Sequence, residues 1–441
     1  MITDAAFAQR GRARIVIVGA GFAGFEAARA LSRTAGDAAE IVLVNPTNYF
    51  LYLPLLPEVA AGTLDPRRIA VSLSEVLPKV RLVLGSVENI DLGGRTVSYL
   101  DPEQRTGTLG YDRLVLAAGS VNKLLPIPGV SEFAHGFRGI PEAVYLRDHI
   151  TRQIALADTT DDQAERDQRC TFVVAGAGYT GTEVAAQGPL ITDTLLADRP
   201  RLAGQQVRWL LLDTADRVLP TLDERLSRSS DQVLRQRGVE VLMGTTVKEA
   251  TAEGVRLTSG DFVRTRSLIW CVGVQPDPLV SDLGLPLQKG RLVVDEYLGV
   301  PGHPEVFACG DIAAVPDLTR PGETTAMTAQ HATRQGKRAA ANVAASFGHG
   351  ERKAYRHHDL GFVVDLGGPQ AAANPLRIPL SGLPAKAITR GYHLLSMPGN
   401  RVRTAADWAL NLALPRESAE LSLVRGRSVP LASDSPETPQ H

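Results

Sequence analysis

Two apolar, β-branched runs along this chain each break into glycines and then into an alanine-rich stretch with helical spacing. In the first, Arg14-Ile15-Val16-Ile17-Val18 stops at Gly19-Ala20-Gly21-Phe22-Ala23-Gly24, and Phe25-Glu26-Ala27-Ala28 carries on as helix. The second, Phe172-Val173-Val174-Ala175-Gly176-Ala177-Gly178-Tyr179-Thr180-Gly181-Thr182-Glu183-Val184-Ala185-Ala186, repeats it. The pattern predicts a buried parallel strand, a tight turn and a helix packed back on the strand. The first glycine of each set permits the turn, the second lets a pyrophosphate approach the backbone, and the third lets helix and strand lie close. The helix N-terminus then presents unpaired N–H groups and a partial positive charge. One such motif fits an ordinary glycine turn, whereas two copies, each between strand and helix, point to two dinucleotide sites.

The rest of the pattern fills in around these runs. Glu40 to Val44 reads as a second parallel strand ending at Asn45, where such folds hold the ribose hydroxyls, usually with a carboxylate. Asn45 is neutral and keeps only the weaker, uncharged bond; the alternative is that Asn45-Pro46 begins a turn. In the second half, Val207 to Leu212 ends at Asp213, with residues 189–206 read as an insertion before it. Val80 to Tyr99 alternates around Gly93-Gly94, as an antiparallel meander does. Leu114-Val115-Leu116-Ala117-Ala118-Gly119-Ser120 is a buried strand ending in small residues that let a cofactor approach. Residues 139–157 read as helix, 158–169 as a solvated loop and 223–238 as an amphipathic helix. Leu268 to Val274, with Gly273 near its end, closes the second half, and Val306-Phe307-Ala308-Cys309-Gly310-Asp311 follows later. From Pro384 a helix would align Lys386, Arg390 and His393 on one stripe, with Ala387, Ile388, Leu394 and Leu395 opposite. Val402, Ala405, Ala406, Ala409, Leu410 and Ala413 form a second apolar face near Trp408.

Composition narrows the partners. The chain has 441 residues, 44% hydrophobic and 22% charged, with a net charge of −1. That length exceeds one ordinary core, and the charge gives no reason to expect a nucleic-acid partner. No run approaches the roughly eighteen apolar residues of a membrane span. The first residues lack a signal pattern, so a cytoplasmic location is expected. Cys170, Cys271 and Cys309 stand far apart, each in or beside a strand-like run where cysteine is a small core residue; no redox disulfide and no metal site is read from them.

Specific segments add a resemblance. Asn48-Tyr49-Phe50-Leu51-Tyr52-Leu53-Pro54-Leu55-Leu56-Pro57-Glu58-Val59-Ala60-Ala61-Gly62 resembles the stretch that lies along FAD in the type II NADH dehydrogenases, flavoproteins with two dinucleotide-binding domains. Gly310-Asp311 matches the pair whose Asp bonds the FAD ribityl and pyrophosphate region. Ala329-Gln330-His331-Ala332-Thr333-Arg334-Gln335 matches the family's Ala-Gln-x-Ala-x-Gln-Gln helix beside flavin and quinone, except at Arg334. Either Arg334 turns outward, or the acceptor differs from a standard quinone. The resemblance implies FAD at Gly19, Gly21, Gly24, Asn45, Ala118, Gly119, Gly310, Asp311, Ala329 and Gln330. It implies NADH at Gly176, Gly178, Gly181, Glu183, Asp213 and Gly273, with Glu183, Gln330 and Gln335 as candidate catalytic residues. Glu26 occupies the place of Glu183 in the first half, so position alone does not decide catalysis.

The expectation is therefore an α/β protein with two Rossmann-like dinucleotide-binding domains and a C-terminal α+β extension. FAD binding falls to 12–124 and 286–346, NADH binding to 125–285, a membrane- or dimer-facing domain to 347–425, and a disordered tail to 426–441. The implied activity is hydride transfer from NADH to FAD, then two electrons to a quinone, with weak peripheral contact at the cytoplasmic membrane face or a homodimer. Two alternatives stay open: a soluble NADH-dependent reductase of a ferredoxin or other small carrier, and a redox-sensing protein that binds FAD and NADH.

Overall fold

Each of the two apolar runs becomes a strand in the interior of a parallel sheet. The computed structural model describes residues 2–3, 12–34, 38–414, 416 and 419–433. The elements used below are, in chain order, β1 (Ala13–Val18), α1 (Phe22–Thr34), β2 (Ala39–Asn45), α2 (Leu56–Ala60), β3 (Arg81–Leu84), β4 (Arg113–Leu116) and α3 (Ile140–Thr159). Then follow β5 (Thr171–Ala175), α4 (Tyr179–Ala197), β6 (Arg208–Asp213), α5 (Glu224–Gln236), β7 (Val239–Met243), β8 (Ser267–Trp270) and β9 (His303–Ala308). The last are α6 (Ala329–Ala345), β10 (Val363–Asp365), β11 (Ala371–Ala373), α7 (Gly382–Ser396) and α8 (Arg401–Ala413). The chain divides into two compact units, the first Met1–Leu51, Ala70–Val121 and Val274–His358, the second Tyr52–Ile69, Asn122–Gly273 and Asp359–His441.

In the first unit the sheet order is Gly299–Val300, β9, β4, β1, β2, β3, parallel except at the Gly299–Val300 edge. Ile15, Val16 and Ile17 are fully buried, which is why β1 reads as a continuous apolar run rather than an alternating one. Helices α1 and α6 pack together. They come so close because Gly336 has no side chain: a Cβ there would lie 2.1 Å from the Ala23 carbonyl oxygen. The meander expected over 80–99 is corrected in part: its first strand, Arg81–Leu84, pairs parallel with β2, and the antiparallel strands are Ser86–Asp91, Thr96–Leu100 and Thr106–Gly110.

In the second unit five parallel strands run Ala134–His135, β8, β5, β6, β7. Trp209 of β6 stacks on Phe172 of β5 with ring centroids 4.6 Å apart, and Gly188 of α4 leaves the room it needs. The stretch 189–206 is structured: α4 runs through Pro189 to Ala197, and a 3-10 turn follows at Pro200–Leu202. Just before the proline, the Arg237 guanidinium donates to the Ala186 carbonyl at 2.6 Å. Residues 158–169 are not all loop: Gln163–Arg169 is helical. Asp162 caps it by accepting from the Ala164 N–H at 2.9 Å, and Arg169 pairs with Glu165 one turn away, so local polar bonds make a helix that apolar periodicity does not mark.

The C-terminal part of the second unit is an antiparallel sheet of β10, β11 and Leu380–Ser381 with α7 laid on it, around Ala371, Ala373 and Ala385. Here the basic stripe of α7 is the inner face and part of the apolar face is outward. Lys386 and His393 of α7 are only 8% and 4% exposed, whereas Leu395 is 77% exposed and Leu383 also faces solvent. On α8, Thr404 and Trp408 are buried while Val402, Leu410 and Leu412 are exposed. The basic stripe turns inward because Asp365 of β10 is there to receive it. Beyond α8, Arg152 of α3 pairs with Glu420, and the Ser422 N–H donates to Asp148. Residues 426–433 continue as a 3-10 turn at Gly426–Ser428, and Leu431 joins the sheet core with Val173, Leu210 and Leu268. The remainder of the expected tail, 434–441, lies outside the described residues. Among the described residues no helix is long and apolar enough to cross a membrane.

The α1–α6 contact gives a direct test. Gly336→Ala should lower the unfolding free energy by about 1–3 kcal/mol, the usual cost of overpacking a tight interior, as measured by urea titration.

Candidate active site

The turn after β1 is built on three glycines, each required for a different reason. Gly19 has φ +91°, and a Cβ there would lie 2.5 Å from the Ala117 carbonyl oxygen. A Cβ on Gly24 would lie 1.8 Å from the Gly19 carbonyl oxygen, so the helix could not seat on its own turn. Gly21 has nothing within 4 Å. It faces open space at the start of α1, where a phosphate can reach the backbone. Asn45 closes the turn from the next strand. Its Oδ1 accepts the Ala20 N–H at 2.8 Å, and its Nδ2 donates to the Thr47 carbonyl at 2.9 Å. Sequence left Asn45 between ribose contact and turn residue; its carboxamide holds the glycine turn in place.

Other segments of the first unit converge on the same sheet edge. Gly119, with φ +83° and nothing within 4 Å of a Cβ, follows Ala118 at the end of β4. The next residue, Ser120, donates its hydroxyl to Asp311 at 2.6 Å. Gly310, with φ +79°, donates its N–H to Gln335 Oε1 at 2.8 Å, and Gln335 Nε2 donates to Thr325 at 2.9 Å. Gln335 is buried and thus braces the Gly310-Asp311 turn. Ala329 and Gln330 open α6 half-buried, after the Thr328 cap. Arg334 reaches the 357–358 segment, donating to the His358 carbonyl and lying 3.2 Å from His357 Nδ1. His357 stacks on His331, whose Nδ1 is 2.9 Å from the Tyr355 hydroxyl.

The second unit repeats the cradle. Gly176 has φ +102° and no room for a Cβ beside the Cys271 carbonyl; Gly181 would clash with Gly176 at 1.8 Å; Gly178 has nothing within 4 Å. Asp213 takes the place of Asn45: its Oδ2 accepts the Ala177 N–H at 2.6 Å and its Oδ1 the Ala215 N–H at 2.9 Å. Gly273, φ +109° and open, corresponds to Gly119.

The two acids that sequence could not rank differ in surroundings. Glu26 is bound by Arg29 at 2.7 Å and lies 3.8 Å from Lys337. Glu183 accepts the Asp365 N–H at 2.8 Å. Loss of water holds its carboxyl well above the usual range, and the charges of Asp365 and Glu58 add to this against the Asp365 N–H bond and Lys386. Asp365 is buried and salt-bridged to Lys386 at 2.5 Å, and it also accepts the Gly367 N–H at 2.7 Å. His393, one helix stripe along from Lys386, lies 3.1 Å from the Tyr52 hydroxyl, and burial pushes its pKa down to about 4. Asp365 belongs to none of the sequence motifs, and its one signal is a lone carboxylate inside an otherwise apolar run; Glu58 is the lone carboxylate of the 48–62 segment.

Residues 13–336 match the pyridine nucleotide-disulphide oxidoreductase family. The chain is 32% identical to the type II NADH:quinone oxidoreductase NdhA of Mycobacterium tuberculosis, over 91% of this chain and 87% of that protein. It is 31% identical to Ndh of the same organism, over 92% of this chain and 89% of that one. The chain belongs to the type II NADH:quinone oxidoreductases. The fold agrees at lower identity: NDH2 from Plasmodium falciparum, whose structure was solved in complex with NADH, matches with a TM-score of 0.85 at 18% identity, over 92% of this chain and 100% of that one. The superfamily name refers to disulphide chemistry, but in this type II oxidoreductase all three cysteines are free. Burial raises Cys170 to about 11 and Cys271 and Cys309 to about 12, so the thiols stay protonated.

The Asp365–Lys386 pair sets a stability expectation. Lys386→Met leaves a buried carboxylate without its cation and should cost about 3–5 kcal/mol at neutral pH. Adding Asp365→Asn should recover most of that loss in the same denaturant titration.

Proposed function

We propose that this chain is an FAD-dependent NADH dehydrogenase that takes a hydride from NADH and delivers two electrons to a quinone. The observation that carries the reading is the duplicated cradle, each copy closed by a strand-end side chain and left open at its middle glycine. The relatives at 32% and 31% identity are named as NADH:quinone oxidoreductases, which supports the choice of reaction. FAD, when bound, supplies the two-electron carrier between a hydride donor and an acceptor.

The chain's own residues bind and orient. Gly19, Gly21 and Gly24 with the α1 N-terminus receive the FAD pyrophosphate, and Asp311, oriented by Ser120, accepts from the ribityl region. Ala118, Gly119, Ala329 and Gln330 leave room for the ring system, while Gln335 positions Gly310-Asp311. Gly176, Gly178, Gly181 and Gly273 receive NADH. Asp213 disfavours a 2′-phosphate by roughly 1–4 kcal/mol at about 4 Å. Glu183 and Gln330 are the candidate catalytic side chains. On this reading FAD belongs to 12–124 and 286–346, NADH to 125–285, and the membrane- or dimer-facing part to 347–425.

The outward apolar residues of α7 and α8, with Leu395 and Leu412 at 77% and 85% exposure, fit a protein peripheral to the cytoplasmic membrane face, where its quinone dissolves. Leu395→Glu with Leu412→Glu should abolish flotation with anionic liposomes and leave thermal stability within about 0.5 kcal/mol, since both sites are on the surface.

The reaction is tested by anaerobic stopped flow: NADH should bleach the flavin, and a quinone should restore its colour faster than a ferredoxin does. Absence of bound flavin, or reoxidation by no quinone, would overturn the reading. Gly178→Ala should fold and stay yellow, because its Cβ meets nothing in the protein. Its flavin reduction at limiting NADH should slow by about tenfold or more, as the methyl occupies the space a pyrophosphate needs.

A further inference from the structure

Helix α2 buries all five of its residues, and Glu58 is the one charged side chain among Leu56, Pro57, Val59 and Ala60. Glu58 is 3% exposed. Its Oε2 accepts the Trp408 indole N–H at 2.5 Å and lies 3.4 Å from the Thr63 hydroxyl. Its Oε1 is buried with no hydrogen-bond partner. An ionised carboxylate offers about four acceptor sites, and a single strong donor does not replace the water it loses. Helix α3 also packs on α2, but among the described residues none of its side chains bonds Glu58. The geometry favours a neutral carboxyl at this position.

The surrounding charges set how firmly the proton is held. Burial is the largest influence; Asp365 of β10 opposes ionisation further, while Lys386 and Arg390 of α7 and the Trp408 N–H of α8 favour it, leaving the group at about 7. Glu183 of α4 and Arg416 also feel its charge. Arg390 lies over the Trp408 ring, 4.6 Å from its centroid, on the donor that faces Glu58. A proton here is held at neutral pH and is releasable.

The proposed reaction consumes such a proton. NADH gives up a hydride, and quinol formation needs one proton more: NADH + H⁺ + quinone → NAD⁺ + quinol. We propose that Glu58 stores that proton and releases it, through the Asp365–Lys386–Glu183 group, to the quinone as it is reduced. This rests on the NADH:quinone reading above. The O–H bond of Glu58 breaks, a quinone oxygen gains the proton, and the electrons come from NADH through the flavin. Glu58 is not oxidised or reduced, and it regains its proton from solvent. It acts through its neighbours and is a positioning residue for the proton rather than a catalytic one.

The test uses the flavin-loaded enzyme. Infrared spectra of the wild type should contain, beside the band of the protonated Glu183, a second protonated-carboxyl carbonyl band that shifts in deuterium oxide and is lost as pH rises through about 7; this second band is the one followed. Glu58→Gln keeps the shape and can accept the Trp408 N–H, but it cannot release a proton. It should lack the band, lose about tenfold to a hundredfold in quinone-dependent turnover, and flatten the turnover profile near neutrality, with a smaller effect on flavin reduction by NADH. Trp408→Phe removes the donor that lowers the Glu58 pKa, so the band should titrate at higher pH; this arm and the wild-type spectrum serve if Glu58→Gln does not fold. Absence of the band in the wild type, its persistence in Glu58→Gln, an unmoved titration in Trp408→Phe, or Glu58→Gln turnover with an unchanged pH profile would each overturn the proposal. Failure of the wild type to reduce any quinone would sink the underlying reaction instead, while the infrared band still reports whether Glu58 keeps its proton.

Discussion

The nucleotide chemistry of this chain depends on main-chain N–H groups brought to a ligand with no side chain between. Two of the three glycines in each cradle are dictated by contacts inside the protein, since a Cβ at Gly24 or Gly181 would sit 1.8 Å from a carbonyl oxygen of the same turn. The third, Gly21 or Gly178, has no such contact, since a Cβ there meets nothing within 4 Å. The strand-end bond adds rigidity: Asn45 to Ala20 and Asp213 to Ala177 tie the first free N–H region to the neighbouring strand. Such preorganisation lowers the ordering cost of ligand binding.

The same constraint explains why the nucleotide half of the molecule is legible in sequence. Glycines that answer to backbone sterics must recur at fixed spacing, and strands buried on both faces must be continuously apolar, as β1 and β5 are. The C-terminal part follows no such rule. The stripe of Lys386, Arg390 and His393 shares a face by periodicity, and that it is the inner face follows from Asp365, 21 residues earlier than Lys386. Periodicity states which residues share a face, and only the tertiary partner decides which face is inside. The short helix Gln163–Arg169 escapes for the opposite reason, because its cap and ion pair are polar and local.

Symmetry between the halves also has limits. Glu26 and Glu183 stand at matching places after matching glycines, yet one is bound by two cations and the other by a backbone N–H beside a buried carboxylate. Duplicated scaffolds therefore fix where an acid stands without fixing its partners, which are Arg29 and Lys337 for Glu26 and the Asp365 N–H for Glu183. Asn45 and Asp213 diverge in the same way, since one bonding geometry is kept while the charge is changed.

Leu431 carries a consequence of its own. It fills the core of the second unit beside Val173 and Leu210, and its carbonyl is held by Asn122 at 3.3 Å. The position looks expendable, well past the end of the last long helix at Ala413. Loss of Leu431 would nonetheless open a hole beneath the parallel sheet of the second unit, so damage far along the chain from the glycine turns would surface as misfolding.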